Sequence, residues 1–256
     1  MKIRPSDVLK YENCPRQFKF SRDYKPNATP GNLALGTAVH AAIEVFLKEE
    51  KNPLEGFRNA WDKQLASGPI DFCSKEESCF RTFGENLANG FSEFWKESGF
   101  SPARDAGGNV LMEVRLEAEI APGVVLSGQP DLVAWNSEAR LIVLDFKTAC
   151  SRANPLFVNI SEQLTAYQIL LNAHAERLGL PEIDGLAFLE GLKRKTMTNV
   201  WGIHASPPRD KEEVKDYLCK VKRVAKAMQQ SEFPRMPRMA WNSPCTLCEF
   251  AKGCIG

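Results

Sequence analysis

From Leu33 to Glu50 the apolar side chains Leu35, Val39, Ile43, Phe46 and Leu47 recur at three- and four-residue steps, the period at which one face of an α-helix repeats. Leu54 to Leu65 and Glu76 to Trp95 carry the same period and predict two further amphipathic helices. The pattern then shortens. Val110, Met112, Val114, Leu116, Ala118 and Ile120 occupy every second position, the alternation of a half-buried strand. Pro122-Gly123 marks a turn, and Val124 to Trp135 and Leu141 to Ala149 read as two more strands joined by the polar turn Asn136 to Arg140. Three strands with short links predict an antiparallel meander.

Helical spacing returns between Ile160 and Leu178, with Leu164, Tyr167, Ile169, Leu170 and Leu171 on one side, and stops at Gly179 and Pro181. Strands follow at Gly185 to Leu192 and Thr198 to His204, then a helix from Asp210 to Gln230. At the other end, Pro5 to Arg22 predicts a short helix ending near Cys14-Pro15 and a further turn. The tail from Phe233, with Pro234, Pro237 and Pro244, fits neither template. With no internal repeat and no clear linker, this order predicts a single α/β domain with elaborated ends.

At roughly 150 residues per domain, 256 residues hold one large or two small cores. An apolar content of 43% and a charged content of 25% exclude disordered and collagen-like chains. Lys and Arg total 33 against 32 Asp and Glu, so bulk charge names no partner and a nucleic-acid role needs a local basic surface. Met1 to Lys10 lacks the apolar core of a signal peptide, and no apolar run reaches the ~18 residues of a membrane span. The expectation is a soluble cytoplasmic protein whose eight cysteines are thiols or metal ligands rather than disulfides.

Two strands carry the strongest local chemistry. Pro130-Asp131 closes one, and Asp145-Phe146-Lys147 sits on the next. In a strand, residues two apart share a face, so Asp145 and Lys147 project together while Phe146 points into the core. A charged pair beside the apolar run Leu141-Ile142-Val143-Leu144 is costly to bury unless paired or metal-bound. Converging with Asp131, it makes a hard oxygen site of the kind that Mg²⁺ or Mn²⁺ prefers. His40, within Gly36-Thr37-Ala38-Val39-His40 on the first long helix, is a candidate nitrogen ligand. Gly31 to Thr37 is no phosphate-binding loop, because Leu35 precedes Gly36 and no lysine follows. Likewise His40 with Glu44 lacks the second histidine of a zinc-protease helix. Gln163 and Tyr167, four apart, share a helix face.

Cys245-x-x-Cys248 is followed by five residues and Cys254, a compact thiolate cluster in a tail that hydrophobic burial cannot order by itself. Cys14, also beside a proline, is the candidate fourth ligand and would staple the two ends together. Spacing alone admits either zinc or an iron–sulfur cluster.

Together these elements resemble the RecB-type branch of the PD-(D/E)xK nuclease superfamily and its iron–sulfur members, such as the CRISPR-associated adaptation nucleases and the nuclease domains of AddB-type helicase-nucleases. The likeness runs in order through Ser6 with Cys14-Pro15, Gly36-Thr37-Ala38-Val39-His40, Gly128-Gln129-Pro130-Asp131, Asp145-x-Lys147, Gln163-x-x-x-Tyr167 and the Cys245, Cys248, Cys254 set. It implies a restriction-endonuclease-like α/β fold, a mixed sheet flanked by helices. Residues 31–100 would be a helical elaboration, 105–230 the catalytic core, and 1–25 with 233–256 the iron–sulfur staple. It further implies His40, Asp131, Asp145 and the Phe146 carbonyl as ligands of Mg²⁺ or Mn²⁺, Lys147 as the catalytic lysine, and Gln163 and Tyr167 as motif residues near the DNA. A 4Fe-4S cluster on Cys14, Cys245, Cys248 and Cys254 follows from the same likeness. Many relatives carry an acidic residue on the first core strand, a role for which Glu113 is placed and for which Glu117 and Glu119 compete. The helical stretch from Leu54 to Phe100 is longer than a minimal adaptation nuclease needs, and is a candidate partner surface or part of a DNA passage.

The function expected is a metal-dependent DNA nuclease, an exonuclease on single strands or ends, working in recombination, repair or CRISPR adaptation. Lys193, Arg194, Lys195, Arg235 and Arg238 are candidate phosphate contacts. Trp201 and Trp241 are candidate stacking residues for which burial in the core is the stronger reading. The expected partners are DNA and a recombination, helicase or CRISPR adaptation protein, with a homo-oligomer left open. Two rivals are a catalytically weak DNA-binding or partner-docking module of the same fold and a zinc-stabilised interaction protein.

Overall fold

The computed structural model describes residues 1–24, 27–196, 200–236 and 244–255. The chain forms two compact units, one of residues 1–26, 116–128 and 209–256, the other of residues 27–115 and 129–208. The first unit opens with β1 (Lys2–Ile3), α1 (Pro5–Asn13) and α2 (Pro15–Asp23). The second begins with β2 (Thr29–Pro30), α3 (Gly31–Glu49), α4 (Pro53–Ala66), β3 (Ile70–Asp71), α5 (Glu77–Ser98) and β4 (Ser101–Pro102). The chain returns to the first unit for β5 (Leu116–Ala121) and β6 (Val124–Gly128). The second unit resumes with β7 (Leu132–Trp135), β8 (Leu141–Ala149), α6 (Leu156–Asn159), α7 (Glu162–Ala173), α8 (Ala175–Leu178), β9 (Gly185–Leu192) and β10 (Trp201–Ser206). In the first unit again, α9 (Lys211–Gln229) precedes a 3-10 turn at Pro244–Leu247 and α10 (Ala251–Ile255).

In the first unit β6 pairs in parallel with β1 and antiparallel with β5. Pro5 and Pro15 occupy the first turns of their helices, where a missing amide costs nothing. Cys14 ends α1 and caps α2, its sulfur accepting from the Gln17 amide at 3.4 Å. The rings of Tyr11, Phe18 and Phe233 pack together, and Phe250 meets Phe20 and Tyr24 at centroid separations of 5.7 and 6.3 Å. Aromatic contact therefore holds Phe250 to the amino-terminal helices.

The second unit is built on a mixed five-stranded sheet in the order β10-β9-β8-β7-β4. β8 lies antiparallel to β7 and parallel to β9. Leu144 and Phe146 of β8 join Leu132, Ala134, Ala187 and Leu189 in one core with the apolar faces of α3, α4 and α5. By the strand alternation, Asp145 and Lys147 face the other way, where α7 packs on β8 and β9. Helices thus cover both faces of the sheet, the layering that the restriction-endonuclease-like expectation requires. Gly84 on α5 sets the closeness of that packing, because a Cβ there would stand 1.9 Å from the ring of buried Phe57 on α4.

Strands β8 and β9 and helix α3 lie where the hydrophobic pattern put them. The meander does not form as expected. Its first strand starts at Leu116, because Glu113 adopts a left-handed backbone with φ 57° that breaks the pleat. The segment Val124 to Trp135 divides at Gln129-Pro130-Asp131 into β6 and β7, which belong to different sheets; Pro130 has no amide for a ladder. The helix expected from Ile160 to Leu178 is interrupted at His174, giving α7 and α8. Trp201 starts β10 and is buried, its indole donating to the Leu87 carbonyl at 2.9 Å. Thr198, Arg238 and Trp241 lie outside the described residues. Among the described residues no helix is long and apolar enough to cross a membrane.

Candidate active site

All the ligand and catalytic residues named for the metal site fall in the second unit. The register of β7 on β8, Leu132 opposite Leu144, continued by one residue sets Asp131 across from Asp145. The Phe146 amide donates to Asp131 Oδ2 at 2.6 Å, which leaves Oδ1 directed at α3, 3.8 Å from His40 Nδ1. His40 Nε2 lies 3.2 Å from the Phe146 carbonyl oxygen, and its ring meets the Phe146 ring edge to face at 5.6 Å. Small residues before His40, among them buried Ala34 and Ala38, let α3 approach β8 this closely.

Glu113 completes the cluster. Its amide donates to the carbonyls of Pro130 and Asp131, both at 3.1 Å, which fixes the left-handed turn. Its carboxylate accepts from Gln129 Nε2 at 2.8 Å and stands 3.5 Å from His40 Nδ1. His40, Glu113 and Asp131 each offer a ligand atom within 4.8 Å of the others. A non-glycine residue held at positive φ costs about 1–3 kcal/mol, and such strain gathers at functional sites. Glu117, by contrast, pairs with Lys2 at 2.6 Å, and Glu119 accepts from the Gly123 amide at 2.9 Å, both within the first unit.

Asp145 is fully buried. Lys147 Nζ lies 2.5 Å from its Oδ2, yet neither oxygen has a well-directed hydrogen bond. The ammonium also donates to Gln163 Oε1 at 3.0 Å and sits 5.8 Å from the centre of the Phe188 ring. Gln163 Nε2 in turn donates to the Tyr167 hydroxyl at 2.7 Å, so α7 delivers a relay from Tyr167 through Gln163 to Lys147.

The charges do not balance. Three carboxylates, Glu113, Asp131 and Asp145, face one ammonium and one imidazole. Burial pushes the Asp131 carboxyl up to about 7, reinforced by Asp145 and opposed by His40, the Phe146 amide and Lys147. Burial likewise raises Asp145 against the pull of Lys147. Burial alone lowers His40, but its hydrogen bond to Glu113 and the charges of Asp131, Glu113 and Asp145 outweigh that and raise it. Burial and the Asp145 charge raise the Tyr167 phenol, which therefore stays protonated near neutrality. Crowded carboxylates that resist ionising, with a buried Asp145 oxygen lacking a partner, fit a bound divalent cation. The donor set of carboxylates, a carbonyl and one imidazole suits Mg²⁺ or Mn²⁺.

A third buried carboxylate, after Asp131 and Asp145, lies beside this site. Glu190, the register partner of Lys147 on β9, accepts from the Ala153 amide at 2.9 Å and stands 3.5 Å from Arg152 Nη1 and 3.3 Å from His204 Nε2. Its signal in the sequence is an acidic residue within the apolar run Gly185 to Leu192, the criterion that singled out Asp145. Gln129 is the other contributor, positioned through the motif that carries Asp131. Of the candidate phosphate contacts, Arg194 and Lys195 are exposed, Lys193 is half-buried and donates to Asn32 Oδ1 at 2.8 Å, and Arg235 is exposed on the first unit.

The four candidate cluster cysteines all lie in the first unit. Cys14 and Cys254 are buried and Cys245 and Cys248 half-buried. The Cys248 amide donates to the Cys245 carbonyl at 3.2 Å, closing a turn between them.

No curated protein sequence matches the chain significantly. Among solved structures it resembles the protein SSO0001, with 16% identity, 99% of this chain and 85% of that chain covered, and a TM-score of 0.46. It also resembles a protein from Eubacterium rectale named "Putative exonuclease", with 11% identity, coverage of 98% and 87%, and a TM-score of 0.57; at that identity the likeness concerns the fold. The sequence model of the PD-(D/E)XK nuclease superfamily matches residues 3–255. The chain, with its helix-flanked mixed sheet and its acidic cluster beside Asp145 and Lys147, belongs to the PD-(D/E)XK nuclease superfamily.

Proposed function

We propose that this nuclease is a metal-dependent deoxyribonuclease working as an exonuclease on single-stranded DNA or DNA ends. The observation that carries the reading is the meeting of His40, Glu113 and Asp131 with the buried Asp145–Lys147 pair. Asp131, Asp145, His40 and the Phe146 carbonyl would hold the cation, with Glu113 as a further acidic ligand. A bound Mg²⁺ or Mn²⁺ supplies Lewis acidity at the phosphate and lowers the pKa of water. Lys147, held between Asp145 and Gln163, orients the attacking water and offsets charge that develops on the phosphate oxygens. Tyr167 keeps Gln163 in place and remains a hydrogen-bond donor at the pH of the reaction. Lys193, Arg194, Lys195 and Arg235 would contact phosphates. In this reading the chain serves recombination, repair or CRISPR adaptation.

Cys14, Cys245, Cys248 and Cys254 would hold a 4Fe-4S cluster that staples the chain ends. Their support is membership of one unit, the Cys245–Cys248 turn and the burial of Cys14 and Cys254. Anaerobic purification should give brown protein with iron and sulfide in equal amounts; colourless protein with about one zinc per chain would replace the cluster by a zinc site.

The decisive experiment offers end-labelled single- and double-stranded DNA to the protein with Mn²⁺ or EDTA, beside Lys147→Ala. Release of label that requires both the metal and Lys147 supports the proposal and identifies the preferred end. DNA retarded on a gel but never shortened would replace it with a binding module of the same fold.

A further inference from the structure

The chain leaves the candidate site and re-enters it through one segment. β8 ends at Ala149, just past Lys147, and α7 begins at Glu162 beside Gln163, whose Oε1 meets Lys147 Nζ at 3.0 Å. Residues 150–161 are thus an excursion with both ends at the site. Its base is fixed: Arg152 donates to the carbonyls of Glu190 and Trp201 at 2.8 and 2.9 Å, and the Ala153 amide donates to the Glu190 carboxylate. The Asn154 side chain accepts from the Leu156 amide at 3.0 Å, and Val158 is buried.

On this rigid base Leu156, Phe157 and Ile160 are 63, 54 and 72% exposed. Large apolar side chains gathered on one exposed segment mark a binding surface. Beside it, the Lys193 amide donates to the Ala149 carbonyl at 2.8 Å, so the run Lys193-Arg194-Lys195 starts where β8 ends. An apolar tip with an aromatic ring and a basic run therefore flank the same end of the strand that carries Lys147. Proteins that hold single strands combine cations for the phosphates with aromatic side chains on which successive bases stack. In a duplex the base faces are already stacked, so only unpaired bases are free to meet this surface.

We infer that Leu156, Phe157 and Ile160 form a platform for the unpaired bases of the strand entering the site, and so set a preference for single-stranded DNA over blunt duplex. The inference rests on the nuclease reading and names the residues that select its substrate.

The test measures fluorescence anisotropy of labelled single-stranded DNA, the same strand with abasic positions, and blunt duplex, all in EDTA. It compares the wild type with the triple variant Leu156→Ser, Phe157→Ala, Ile160→Ser. The variant should bind the ordinary strand about tenfold more weakly, with duplex affinity unchanged, and the wild type should lose the same factor on the abasic strand. Equal binding of the ordinary strand by both proteins, or of ordinary and abasic strands by the wild type, overturns the inference and assigns the surface to a protein partner. Because EDTA prevents cleavage, such a failure leaves Mn²⁺-dependent degradation standing. Absence of that degradation is what overturns the nuclease reading.

Discussion

Asp145 and Lys147 project from one face of β8 as an ion pair with 2.5 Å between Oδ2 and Nζ, the carboxylate fully buried and the lysine side chain 41% exposed. Water can solvate the lysine but not the aspartate. The fold therefore carries an ionisable group whose burial is unfavourable without a cation beyond Lys147. Asp145→Asn keeps the shape and removes the charge. In EDTA at neutral pH it should melt above the wild type, by a gain of about 1–2 kcal/mol, while Mn²⁺-dependent degradation falls by roughly 10³-fold or more. A lower melting temperature would show that Asp145 serves stability instead.

Glu113 is set apart from Glu117 and Glu119 by its left-handed backbone and its Gln129 hydrogen bond. Glu113→Gln should weaken Mn²⁺ binding by about 10–100-fold in calorimetry. Glu117→Gln, which loses the surface pair with Lys2, should leave metal binding unchanged. Equal effects would remove Glu113 from the site.

The pH dependence follows from Asp131. Its carboxyl is raised by burial from the ordinary 3.8 to about 7. Below the ordinary value both folded and unfolded chains hold the proton, and the group's contribution to stability is fully present. As pH rises toward about 7 the unfolded chain ionises first, so that contribution is lost. Metal-free protein should therefore melt lower at about pH 7.5 than at about pH 5.5 through this group, and Asp131→Asn should flatten the slope. Mn²⁺ needs the ionised carboxylate, so its affinity should climb with pH up to about 7. Thermal melts and calorimetry at the two pH values check both signs.

Gly84 offers a test remote from the chemistry. A methyl group there would collide with the Phe57 ring at 1.9 Å, and both residues are packed between α4 and α5. Gly84→Ala should cost about 1–3 kcal/mol of stability in urea unfolding. An unchanged midpoint would mean that the two helices separate freely.

The candidate site was legible where a local rule applied. Asp145, Phe146 and Lys147 follow from strand alternation and from the cost of charge in an apolar run. Residue chemistry alone makes Asp131 and His40 candidate ligands, and the family likeness implies that they join Asp145 in one ligand set. Glu113 could not be separated from Glu117 and Glu119 by alternation, because the left-handed turn that aims Glu113 at His40 depends on the carbonyls of Pro130 and Asp131. The meander failed for a related reason: hydrophobic alternation records which residues are half-buried, not which strand they pair with, and β6 and β7 pair in different sheets.

The sequence by itself determined the helices α3 and α5, the strands β8 and β9 and the placing of Asp145 and Lys147 on one face of β8, since each is encoded in residues a few positions apart. Tertiary structure decided which carboxylates converge, how Gln163 reaches Lys147, and that Leu156, Phe157 and Ile160 stand exposed on the segment joining β8 to α7. Those relations join residues distant along the chain, and their free energies depend on burial and mutual charge, quantities that exist only once the sheet and its helices have packed.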